Sequence, residues 1–138
     1  MRRQGGGVIV VGVESTGAEG GRFGVEVRPG PDPDIVVVAL TGELDHDTAE
    51  PLRAALDEGI ASGARRLLVD CSELLFCDST GLNVLLHARL AAQETDARVE
   101  LAALRPQVAR MFAITGAGAV FPRHASLGEA LAARPREE

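Results

Sequence analysis

The chain has 138 residues, enough for one domain with its own core and too few for two. A formal charge of −6, with no Trp, no Tyr and four Phe, leaves neither a positive field for nucleic acid nor the rings of a base-stacking surface. All 14 basic residues are Arg, which excludes a Schiff-base lysine and a P-loop lysine.

Residues 1–21 carry seven glycines and read as a flexible extension. An edge strand over Val8 to Val13 is the competing reading. Arg2 and Arg3 precede that apolar run, but Gly12 interrupts it, and it is too short for a signal core or a membrane span. A soluble, cytoplasmic protein is expected, with no membrane or nucleic-acid partner.

From Phe23 to Val27 apolar and polar residues alternate, the period of a half-exposed strand. Pro29 to Pro33 is a turn, and Ile35 to Leu40 is a β-branched run suited to a strand covered on both faces. These two strands form the simplest antiparallel hairpin. After Gly42 to Asp45 a helix begins, capped by Asp47 or Thr48, with Glu50 in capping-box spacing to Asp47. Leu52, Ala55, Leu56 and Ile60 share one face of it, and Gly63 ends it.

Arg66 to Asp70 is a short strand. Beyond Asp78-Ser79-Thr80-Gly81 a long helix is expected to bury Leu82, Leu85, Leu86 and Leu90. Arg98 to Ala103 is a strand, and Arg105 to Thr115 a helix stopped by Gly116. Val120-Phe121 is a short strand, and Ser126 to Ala133 a last helix. Strands alternating with helices in this way imply crossover helices packed on a largely parallel sheet, here a mixed α/β layer.

One segment stands out chemically. Asp78-Ser79-Thr80-Gly81 lies where the chain leaves a strand and enters a helix. Either Asp78 or Ser79 can cap that helix, and capping alone is a sufficient reason for both. The sharper reading exposes Ser79 at the helix N-terminus, where an anion is favoured by about 0.3–1 kcal/mol while the adjacent Asp78 opposes it.

Catalysis finds no comparable support. Ser79 with His87 or His46 and an aspartate would be a triad, but a nucleophile elbow wants Gly two residues before the serine, and Cys77 stands there. His46, His124 and the carboxylates near Asp45 have no metal-ligand spacing. Cys71 and Cys77 match no common zinc pair and read as small buried hydrophobes. No catalytic residue, metal or cofactor is expected.

Gly42-Glu-Leu-Asp-His46, the Leu-Val-Asp70 strand, Phe76-x-Asp-Ser-Thr-Gly-Leu82 and the Thr115-Gly116 helix end are similar, in order and spacing, to the anti-anti-sigma factors. These are the stand-alone STAS domains of bacterial sigma-factor regulation. The resemblance covers about residues 22–134, leaving 135–138 as a tail. It implies a mixed sheet of four to five strands covered by about four helices, and an anti-sigma factor antagonist rather than an enzyme.

In that family the unphosphorylated antagonist binds an anti-sigma factor serine kinase and releases a sigma factor. The kinase, which binds the ATP, phosphorylates the antagonist's serine, and a PP2C-type phosphatase restores it. The resemblance makes Ser79 the acceptor, and places Asp45, His46, Asp78, Thr80, Gly81 and Asn83 at the partner interface. Asn83 departs from the small residue common there. A STAS interaction module of a transport or sensory complex, with no phosphorylation cycle, is the alternative.

Overall fold

The computed structural model describes residues 9–13 and 23–133. Its strands are β1 (Ile9–Val13), β2 (Phe23–Pro29), β3 (Ile35–Leu44), β4 (Arg66–Cys77), β5 (Arg98–Ala102) and β6 (Arg123–His124). They lie side by side in chain order as one sheet. The first two pairings, β1 with β2 and β2 with β3, are antiparallel, and the remaining three are parallel. Helices α1 (Ala49–Ala61), α2 (Ser79–Gln93) and α3 (Pro106–Thr115) make the crossovers between the parallel strands. A short 3₁₀ turn, Ala117–Val120, follows α3, and α4 (Leu127–Ala132) follows β6.

Right-handed crossovers that advance steadily in one direction put their helices on the same face of a sheet. The burial pattern agrees. Leu52 and Leu56 of α1, Leu82 and Leu85 of α2, and Val108 and Phe112 of α3 share one core with Val38, Leu67, Val69, Val99 and Leu101. Strand side chains alternate faces, so Leu68 points the other way. There it joins Ile35 and Ala102 beneath Ala130 of α4.

The α4 face is fastened by charge as well as by apolar contact. Buried Arg66 donates from Nε and Nη2 to the two carboxylate oxygens of Glu100, at 3.0 and 2.8 Å. The same guanidinium donates to the carbonyls of Ala130 and Ala133 at the end of α4. His124 Nε2 lies 2.9 Å from Glu100 Oε1; a carboxylate only accepts, so the ring carries its proton on that nitrogen.

The mixed sheet and its four helices match the expected architecture, and five strands follow residue 22 in the expected order. The sixth is β1, so residues 9–13 take the strand alternative. The rest of the glycine-rich segment, and the tail 135–138, lie outside the described residues.

Several local expectations are corrected. Thr48 occupies the N-cap position of α1, but its side chain makes no capping bond, and no Asp47–Glu50 box forms. The Thr48 hydroxyl instead donates to the Glu43 carbonyl and accepts from the Asp45 amide, at 2.9 and 2.8 Å. Leu90 is exposed rather than buried and Leu86 is half-buried, because Ala88 and Ala92 occupy the inward stripe of α2. Val120 belongs to the 3₁₀ turn and Phe121 packs into the core, so the edge strand forms later, at Arg123–His124. Finally, β4 continues through Cys71–Cys77 instead of ending near Asp70.

Candidate functional site

The extension of β4 brings the two motif segments together. Leu44 at the end of β3 pairs with Cys77 at the end of β4, and the Asp78 amide donates to the Leu44 carbonyl at 3.1 Å. Gly42-Glu-Leu-Asp45 and Asp78-Ser79-Thr80-Gly81 therefore leave the sheet side by side. They do so at the carboxyl ends of parallel strands, where α/β proteins place their binding sites.

Each loop is held by its own aspartate. Asp45 Oδ1 accepts from the amides of Asp47 and Thr48, at 2.9 and 3.2 Å, closing a tight turn. Asp78 is the N-cap of α2, and its Oδ1 accepts from the amides of Thr80 and Gly81, at 2.9 and 3.1 Å. These bonds satisfy amides that the first helical turn leaves without intrahelical partners. Ser79 is then the first residue of α2, and it is exposed.

Gly81 is buried directly beneath this turn. A Cβ there would meet Leu44 Cγ at 2.5 Å and Cys77 Sγ at 3.1 Å. The helix can start this close to β3 because position 81 has no side chain. Cys77 lines the same packed floor; burial, with Asp78 adding negative charge nearby, pushes its thiol up to about 12.

The expected site residues thus divide by role. Ser79, His46 and Asn83 are exposed, and Asp45, Asp78 and Thr80 are half-buried. Gly81, expected at the partner interface, is buried and acts by letting the loop pack. Thr80 and Asn83 also line a cleft of about 360 Å³ between α1 and α2, together with Arg53, Asp57 and His87. The expected strand, helix and loop boundaries gave no sign of that cleft, because it exists only where two helices meet. His87 and Ser79 are not brought into any common hydrogen-bonded arrangement, and among the described residues no cluster of three metal-ligating side chains occurs.

A second feature escapes sequence reasoning. Gly42 pairs with Leu74, but the next residue of β3, Glu43, pairs with Phe76. At this point β4 carries a surplus residue, Leu75, beyond an earlier register shift opposite Ala39 and Thr41, and a bulge of this kind interrupts the inward–outward alternation. Leu75 and Phe76 are both about half exposed, at 47% and 48%. On the other side, β5 has already ended at Ala102 opposite Asp70. Side chains at the start of α3 hold the overhanging strand instead: Arg105 Nε donates to the Ser72 carbonyl and Gln107 Nε2 to that of Leu75.

Residues 29–122 match the family model described as "Mlab, STAS domain". The chain belongs to the STAS domain family. This STAS domain is 31% identical over 85 residues to the anti-sigma-B factor antagonist of Listeria monocytogenes, a match spanning 62% of this chain and 75% of that one. Its fold superimposes on the anti-sigma factor antagonist SpoIIAA in its unphosphorylated form with a TM-score of 0.67 and 28% identity, covering 78% of this chain and 92% of that one. The phosphorylated form of SpoIIAA from Bacillus gives a TM-score of 0.62 and 27% identity, over 78% and 96% of the two chains. Among the described residues no helix is long and apolar enough to cross a membrane.

Proposed function

We propose that this STAS domain is an anti-sigma factor antagonist controlled by phosphorylation of Ser79. In the unphosphorylated form it binds an anti-sigma factor that is also a serine kinase, and so frees a sigma factor. The kinase, using its own ATP, then phosphorylates Ser79 and ends the association, and a PP2C-type phosphatase resets the cycle. The chain works by binding and release and performs no chemistry itself.

One observation carries this reading. Ser79 is exposed on the first turn of α2, while everything around it is pinned: Asp78 by its cap, Gly81 by Leu44, and the whole junction by the Asp78–Leu44 bond. A phosphoacceptor needs a hydroxyl that reaches a kinase without unfolding its surroundings. The similarity to SpoIIAA, a protein with both an unphosphorylated and a phosphorylated form, supports the same role here.

The size of the switch follows from charge. A phosphate brings about −1.5 to −2 charges to one side chain. Left unpaired inside a partner interface, a buried charge costs about 3–5 kcal/mol, which is roughly a 10²- to 10³-fold loss of affinity. The helix N-terminus tolerates the phosphate, so the free chain stays folded.

The test is intact-mass analysis of the protein from its own cells, with peptide mapping of residues 66–89. A single phosphate on Ser79 that varies with growth state is the expected result. Absence of phosphate under every condition overturns the proposal and leaves an interaction module without a cycle.

A further inference from the structure

The bulge at Leu75 leaves two large apolar side chains, Leu75 and Phe76, half exposed within four residues of Ser79. Both neighbours in sequence, Leu74 and Cys77, are buried, and a regular strand would have turned one of the exposed pair inward. Bulges persist where they re-aim a side chain, and here the side chain re-aimed is aromatic. Aromatic side chains, Phe among them, are enriched at protein interfaces relative to the rest of the surface.

The surroundings are acidic. Glu43 lies directly across from Phe76 in β3, and Glu73 and Asp47 are exposed at the same end of the sheet, with Asp45 half-buried beside them. Of the basic side chains on the neighbouring elements, Arg53 lines the cleft at Thr80 and pairs with Glu50, Arg105 donates to the Ser72 carbonyl, and His46 is exposed; among the described residues none is ion-paired to Glu43, Glu73 or Asp47. An apolar centre within a rim of carboxylates is complementary to an apolar pocket within a rim of Arg or Lys.

We propose that Phe76, with Leu75, is the apolar anchor that seats this chain in a basic-rimmed pocket of its anti-sigma factor, beside the serine that the same protein phosphorylates. This rests on the function proposed above and adds the residues and the chemistry of docking. It assigns two roles to two residues of one loop. Phe76 holds the partner, and Ser79 reports the phosphorylation state.

The experiment is calorimetric titration of the full-length, unphosphorylated chain against each anti-sigma factor kinase encoded in its own genome, purified separately. The variants are Phe76→Ser, the milder Phe76→Leu, and Leu90→Ser. Leu90 is 54% exposed and also apolar, but lies about 16 Å further along α2 at the usual helical rise. Thermal melting checks that each variant is folded.

The expected result is a loss of about tenfold or more for Phe76→Ser, a smaller loss for Phe76→Leu, and none for Leu90→Ser. Glu43→Gln should slow association at low salt, as removal of a rim charge does. Binding of Phe76→Ser within about twofold of the wild type overturns the anchor, as does an equal loss in Leu90→Ser. A wild-type dimer that dissociates on Phe76→Ser also overturns it, by giving the patch to a second copy of the chain. If no kinase binds the wild-type chain, the underlying function fails, and that outcome is distinct from all the others.

Discussion

Gly81 and Leu44 are packed so closely that a single methyl group between them would overlap: a Cβ at position 81 would lie 2.5 Å from Leu44 Cγ. Leu44 is fully buried, so any shift of its side chain must be taken up by the surrounding core. Gly81→Ala is therefore expected to destabilise the fold by about 1–3 kcal/mol, the usual cost of overpacking a filled core. Thermal denaturation measures it. A variant as stable as the wild type would show that α2 can move off β3 freely.

The Asp78 cap makes a separable contribution. Asp78→Ala removes the acceptor of the Thr80 and Gly81 amides and should cost about 1 kcal/mol. Asp78→Asn keeps an oxygen in the same place and should melt within a degree or two of the wild type, since Asn and Asp cap about equally well. If the two variants lose equal stability in denaturant titrations, the cap is not what orders the loop.

At Ser79 the prediction concerns binding and not stability. Ser79→Asp should weaken association with the anti-sigma factor, and Ser79→Ala should preserve it. The exposed position on the first turn of α2 tolerates either residue. Equal affinities for both variants would remove the electrostatic account of the switch.

The parts of this molecule that were legible in the sequence are those set by local pattern. The alternation at Phe23–Val27 and the β-branched run from Ile35 gave the hairpin strands. Gly63 and Gly116 gave the ends of α1 and α3, where both take positive φ, 90° and 81°. The Asp78-Ser79-Thr80-Gly81 junction was legible as a helix start. What stayed hidden depends on contacts between elements distant in the chain. The bulge at Leu75 exists only relative to the register of β3. Burial of Gly81 requires Leu44 to arrive from another strand, and the cleft at Thr80 requires α1 to lie against α2. Thr48 has the residue type of a cap, yet its hydroxyl is diverted to Glu43 and Asp45, a choice that depends on how β3 ends.

The Arg66–Glu100 pair yields a prediction with a definite sign in pH. Burial of Glu100 disfavours its charged form, but hydrogen bonds from Arg66 and His124 outweigh this and hold the carboxyl below its ordinary value of 4.5. In the window between the folded and unfolded values, the unfolded chain binds a proton that the folded chain does not. The stability that Glu100 contributes is thus complete above that window and is lost as pH falls through it. Glu100→Gln should flatten this acid dependence, measured by urea unfolding at a series of pH values. Glu100→Ala leaves the Arg66 guanidinium buried without its carboxylate and should cost about 3–5 kcal/mol at neutral pH. An unchanged acid limb in Glu100→Gln would assign the dependence to other carboxylates.

The two cysteines lie beneath the functional loop, and their chemistry reports whether that loop opens. Burial is the main force raising both thiols; neighbouring Asp70 adds to it at Cys71, and Asp78 at Cys77, which reaches about 12. At pH 8 only about one Cys77 in 10⁴ would be the reactive thiolate. Iodoacetamide should therefore leave the native protein unlabelled at both positions and modify both within minutes once urea is added. Mass analysis of the quenched reaction distinguishes them. Rapid labelling of Cys77 alone in native buffer would mean that the start of α2 lifts away from Leu44 far more often than this packing allows, and that the serine is presented by a mobile loop instead of a pinned one.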